Sequence, residues 1–140
     1  MNQNSGEKNI SFRPEAIGML FVLLAEFVFG IYTTFFLHFP ESATARELWK
    51  FSSKDMVLNI HMILGLIIVL GTAGFCLRVI VKKQQAWLAS AVLALIGAVL
   101  ATYAGFMFIP SQADSYSFLM GLGFAIAIGG YGWGLFKSKN

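Results

Sequence analysis

Four long apolar blocks dominate the chain, at Ala16 to Leu37, Met56 to Leu77, Ala86 to Ile109 and Tyr116 to Phe136. Each is close to the roughly 20 apolar residues that a helix needs to cross the hydrocarbon core of a bilayer. None breaks into the short alternating segments of a membrane β-barrel. The pattern predicts an all-α protein, an integral membrane four-helix bundle forming one transmembrane domain over residues 1–140. Its spans are expected at about 16–38, 56–81, 86–109 and 116–136. Pro14 and Glu15 suit the first turn of a helix. Ser53 or Asp55 can cap the second span, and Arg78, Lys82 and Lys83 close it. The first block is too long for the apolar core of a cleavable signal and runs into His38, Phe39 and Pro40 instead of small residues, so it reads as a retained anchor.

The only long connection runs from Phe39 to Asp55. Within it Ala45, Leu48 and Trp49 recur at helical spacing, with Arg46, Glu47 and Lys50 toward the other side. That predicts a short interfacial helix in the first outer loop, with Trp49 at headgroup level. Sealing the bundle end is its simplest role; a lid or docking surface is the alternative. Lys8, Arg13, Arg78, Lys82, Lys83, Lys137 and Lys139 fall on one side of the expected topology, and only Arg46, Lys50 and Lys54 on the other. The positive-inside rule then predicts N-in/C-in, with both termini cytoplasmic and the protein in the plasma membrane.

Composition sharpens this. Residues are 57% hydrophobic and 12% charged, whereas soluble domains carry roughly 25% charged residues. A soluble monomer is excluded. The net charge of +3 comes from residues flanking the apolar blocks and not from a basic patch interleaved with aromatics, so no nucleic-acid partner is expected. The single cysteine, Cys76, rules out an internal disulfide or a multi-cysteine metal site and reads as a small apolar filler. No internal repeat supports an inverted-repeat transporter. No catalytic triad, phosphate-cradling loop, HExxH motif or acidic metal cluster supports a hydrolase or kinase.

Helix association in lipid depends on small residues that let backbones approach. Gly97, Ala101 and Gly105 form one such packing row on the third span, and Gly121, Ala125 and Gly129 form one on the fourth, so the two helices are expected to face each other closely. A second row on the fourth span, Gly123 and Ala127, is extended by Gly130 and Gly134.

Glu26 is the one charge inside the four apolar blocks. An ionised carboxylate there is costly, so it should face the bundle and either find a partner or stay protonated. It shares a face with Gly30 and Thr33. Counting helical rise from the inner ends sets it level with Val69 to Thr72, where Thr72 is the obvious hydrogen-bonding side chain and no basic partner is available. Glu26 and Thr72 are therefore expected to serve a proton-carrying or subunit-contact role, against a purely structural bond.

His38 and His61 both fall toward the outer side. Bis-histidine ligation of a haem b needs two imidazoles at similar depth with room between them, and Gly65, one turn from His61, would leave such room. His61 with Met107 or Met120 is a second ligand set; two uninvolved polar residues is the plain alternative. The stretch Asn59-Ile60-His61-Met62-Ile63-Leu64-Gly65 resembles the His-plus-apolar-plus-Gly stretches of small membrane b-type cytochromes. The resemblance implies haem ligation by His61 and spans only those residues. Tyr103, Tyr131 and Trp133 read as interface or packing aromatics, with Tyr103 able to reach inward.

These features lead to a small membrane subunit of a larger electron-transfer or energy-conserving complex, associating with other membrane subunits or with itself. A one-haem cytochrome using His61 and His38 is the first alternative. An oligomeric proton-coupled carrier or channel around Glu26 is the second.

Overall fold

The computed structural model describes residues 11–40 and 43–138, all of whose regular structure is helical. Lys8 and Lys139, two of the charges used above for orientation, lie outside the described residues. Five helices follow in order: α1 (Arg13–Phe36), α2 (Ala45–Lys54), α3 (Met56–Val81), α4 (Gln85–Ser111) and α5 (Asp114–Lys137). Helices α1, α3, α4 and α5 are long and apolar enough to cross a membrane, with mean hydropathies of 2.0, 2.3, 2.3 and 1.5. In lipid a spanning segment must satisfy its backbone internally, which these sequences can do only as helices.

The boundaries of α1, α4 and α5 depart from the sequence-based spans, each for a local reason. α1 starts at Arg13, so Pro14 occupies its second position, where no intrahelical N–H is needed. It ends at Phe36; Leu37 is extended, and His38 lies outside the helix. α4 continues through Pro110 to Ser111. A proline in the last turn forfeits only one bond there, and the carbonyls just before it are well used. The Ser111 hydroxyl donates to Met107 O at 2.6 Å, and the Gln112 amide Nε2 donates to Ile109 O at 2.7 Å. α5 starts at Asp114, two residues ahead of the expected limit, with its acidic side chain in the first turn.

The long helices run up and down alternately, with short turns joining α3 to α4 and α4 to α5. α1 packs on α3 and α5, and α4 packs on α3 and α5, closing a four-helix ring. Arg13 donates to Ser138 Oγ at 3.4 Å and Arg78 pairs with Glu15, so the start of α1, the end of α3 and the end of α5 share one end of the bundle. That end is plugged by a buried aromatic cluster of Phe12, Phe75, Trp87 and Tyr131. Its ring centroids lie between 5.4 Å (Phe75 to Tyr131) and 6.4 Å (Phe12 to Trp87) apart.

The opposite end is covered by α2, which lies on α3 and α4. Thr44 and Glu47 form a reciprocal capping box that starts it, and Leu48 and Ser52 are its buried side. Trp49 packs on Phe106 at 5.9 Å, and Phe39 bridges Phe51 and Phe108. Asp55, which accepts a bond from Leu58 N at 2.8 Å, caps α3 directly after α2 ends.

The α4–α5 seam is the tightest contact, and of the two small-residue rows on α5 it uses Gly123 and Ala127 with Gly130 and Gly134. A Cβ at Gly123 would lie 2.5 Å from Ala101 N and 2.7 Å from Gly97 O, and one at Gly130 would lie 2.6 Å from Ala94 N. Gly97 and Ala101 thus meet Gly123 and Ala127, Gly130 sits on Ala94 and Ser90, and Gly134 is set against Ser90 and Trp87. Gly121 and Gly129 have nothing within 4 Å of a Cβ position, and Ala125 is exposed. Gly105 touches only the Met120 sulfur, 3.5 Å from its Cβ position.

Candidate functional site

Glu26 and His61 meet between α1 and α3. Glu26 Oε1 lies 2.9 Å from His61 Nδ1, with side-chain exposures of 11% and 15%. The register that brings them together is set by two glycines. On α1, Gly30 follows Glu26 by one turn; on α3, Gly65 follows His61 by one turn. Because α1 and α3 are antiparallel, each polar side chain lies over the other helix's glycine. A Cβ at Gly65 would lie 3.4 Å from Glu26 Oε1, and a Cβ at Gly30 would lie 3.4 Å from His61 Cε1. Larger residues at either position would crowd the pair.

This register corrects the depth assignment made from helical rise. Glu26 is level with Gly65, not with Val69 to Thr72, and it has a basic partner within the chain. Counting from the inner ends took the spans to begin at one level, whereas α3 reaches Val81 and α1 begins at Arg13. Thr72 has a different partner: the Tyr131 hydroxyl donates to Thr72 Oγ1 at 3.0 Å, with both residues buried. Tyr131 is thus a buried polar group that the sequence reading treated as ordinary packing. Tyr103, credited with inward reach, is 53% exposed.

The pair is close but incompletely bonded. The 2.9 Å approach lies within hydrogen-bond range, yet its direction departs from a linear N–H···O bond. Glu26 Oε2 and His61 Nδ1 both remain buried without a formed hydrogen bond. A buried carboxyl oxygen without a donor costs about 1–3 kcal/mol, so such an atom calls for a physical account.

The imidazoles are not brought together. His38 lies on an open cleft of about 620 Å³ with Leu37, Phe39, Pro40, Leu48 and Gln112, whose walls include neither His61 nor Glu26. The room that Gly65 was expected to leave for a macrocycle is taken by the Glu26 carboxyl. Among the described residues no three His, Cys, Asp or Glu side chains gather in a way that could hold a metal ion. Cys76 is buried and unpaired at the aromatic end.

The arrangement can exchange a proton between a carboxyl and an imidazole without changing the net charge of the pair, which suits a low-dielectric span. A signal for it does exist in the sequence: Glu-x-x-x-Gly on one span and His-x-x-x-Gly on the antiparallel neighbour. No family model, curated protein or solved structure matches this chain.

Proposed function

We propose that this chain is a plasma-membrane subunit of a larger energy-conserving complex, in which the Glu26–His61 pair holds and passes a proton. The observation that carries the reading is the 2.9 Å carboxyl–imidazole approach inside a bundle whose other buried polar side chains, among the described residues, are hydroxyls, such as Thr72, Ser90 and Tyr131. Keeping a titratable pair at this depth is costly and is the usual mark of proton relays in membrane proteins. The orientation supported by charge is N-in/C-in. Arg13, Arg78, Lys82, Lys83 and Lys137 flank one end of the bundle, against Arg46, Lys50 and Lys54 at the other. In that orientation α2 lies along the outer interface and seals the bundle, with Trp49 anchoring it. Membership in a complex is supported by the scarcity of extramembrane structure among the described residues and by the exposed row of Gly121, Ala125 and Gly129, which suits another helix.

Infrared spectroscopy of the protein in lipid nanodiscs tests the proton role. A carboxyl C=O band that appears and disappears with pH, and that vanishes in Glu26→Gln while the helical amide band is unchanged, is the expected result. A spectrum with no titrating band removed by Glu26→Gln sinks it. Native mass spectrometry after gentle extraction tests the assembly; a lone monomer counts against the subunit role.

A further inference from the structure

The pair has one open side. In the His61 ring Nδ1 is buried against Glu26 and Cε1 lies over Gly30, so the Nε2–Cδ2 edge is the part of the ring left to carry the side chain's 15% exposure. The other carboxyl oxygen of the pair, Glu26 Oε2, is buried and unpartnered on a residue only 8% exposed. A histidine whose Nδ1 faces a carboxylate has its other nitrogen oriented for a ligand.

Charge narrows what that ligand can be. A metal ion would need further donors, and no group of three or more His, Cys, Asp or Glu side chains assembles among the described residues. An anion would meet the Glu26 carboxylate. A strongly charged molecule would also have to pass an apolar surface, since Phe27 and Ile31, which follow Glu26 and Gly30 on α1, are exposed. A neutral molecule with an apolar body remains, carrying a group that both donates and accepts hydrogen bonds.

We propose that the Glu26–His61 pair is the polar end of a binding site for a membrane-dissolved quinol or quinone. The quinol hydroxyl donates to His61 Nε2 when Nδ1 carries the ring proton; the quinone carbonyl accepts from Nε2–H when the pair has gained one. The site rests on the proton-holding role of the same pair and adds its ligand. Approach is lateral, from lipid.

The test uses the full chain, labelled with ¹⁵N-histidine, in phosphatidylcholine nanodiscs, with a decyl-substituted benzoquinol as probe. Saturable movement of the His61 Nε2 resonance with His38 unmoved is the expected result. Affinity should fall about tenfold in Glu26→Gln, because the carboxylate that fixes the ring proton on His61 Nδ1 is lost and Nε2 is no longer held as the ligand-facing atom. Decylbenzene, which has the chain and ring without hydroxyls, should leave His61 unmoved. An unmoved His61 resonance at saturating probe overturns the site, as does equal movement with decylbenzene. The infrared titration separates the two claims: a titrating Glu26 with no quinol response leaves the proton role standing without this ligand. If haem loading instead gives an absorption band that disappears in His61→Ala, the open nitrogen is a haem ligand and the quinol assignment fails.

Discussion

At the scale of single residues, the glycines of this bundle divide into those that a methyl group would wreck and those that it would not disturb. A Cβ at Gly97 would press on Ala127 N and Gly123 O, which are backbone atoms and cannot swing aside. Gly97→Ala should therefore cost about 3 kcal/mol or more, read as unfolding in a denaturing-detergent titration. Gly129→Ala meets open space and should be neutral or slightly stabilising in the same titration. Equal losses at both sites would show that the α4–α5 seam runs elsewhere. Tyr131→Phe and Thr72→Val each remove one side of the only side-chain bond joining α3 to α5 among the described residues. A double-mutant cycle should return a coupling of about 1 kcal/mol, in the range for hydrogen bonds between membrane helices. The choice of seam was not legible in the sequence, because α5 has small residues at nearly every second position from Gly121 to Gly134 and their spacing fits more than one face. Glu26 was legible as an inward group, but its partner was not: a relative slide of two helices cannot be counted from span ends that are not level.

At the scale of elements, the spans were legible because lipid imposes one solution on a long apolar run, and α2 was legible because its apolar residues recur at helical spacing. Its start also has a local cause. Glu47 Oε2 accepts from Thr44 N and from the Thr44 hydroxyl, both at 2.8 Å. These bonds, the backbone one foremost, hold the Glu47 carboxyl below the ordinary carboxylate range. A depressed acid stabilises the fold above its unfolded value, and that contribution is lost as the pH falls through the folded one. Acidification below the usual carboxylate range should thus fray the first turn of α2, reported by Trp49 fluorescence as the indole leaves Phe106. Thr44→Ala should show the frayed signal already at neutral pH and lose the transition. A transition that persists unchanged in Thr44→Ala would place its origin in another acid.

At the scale of the molecule, the two ends of the bundle are chemically unlike. One is closed by aromatic rings and ringed by Arg13, Arg78, Lys82, Lys83 and Lys137; the other is covered by a ten-residue amphipathic helix. The Glu26–His61 pair lies nearer the second, since His61 is only five residues from the start of α3 at Met56, about 8 Å of rise. Between the pair and the basic end stand the buried side chains of Leu23, Ile68 and Phe75. The pair should therefore exchange protons from the α2 side alone, and which compartment that is depends on how the chain inserts. Cys76 is buried, so a Cys76→Ala background allows single reporters at Ser11→Cys, Ser138→Cys and Ser53→Cys. A membrane-impermeant maleimide on intact cells should label Ser53→Cys, at the end of α2, and should reach Ser11→Cys and Ser138→Cys only after lysis. The reverse pattern would turn the protein over and make the pair face the cytoplasm. Labelling of Ser11→Cys and Ser138→Cys from opposite sides would contradict the Arg13–Ser138 contact and, with it, the even number of crossings on which the Glu26–His61 register depends.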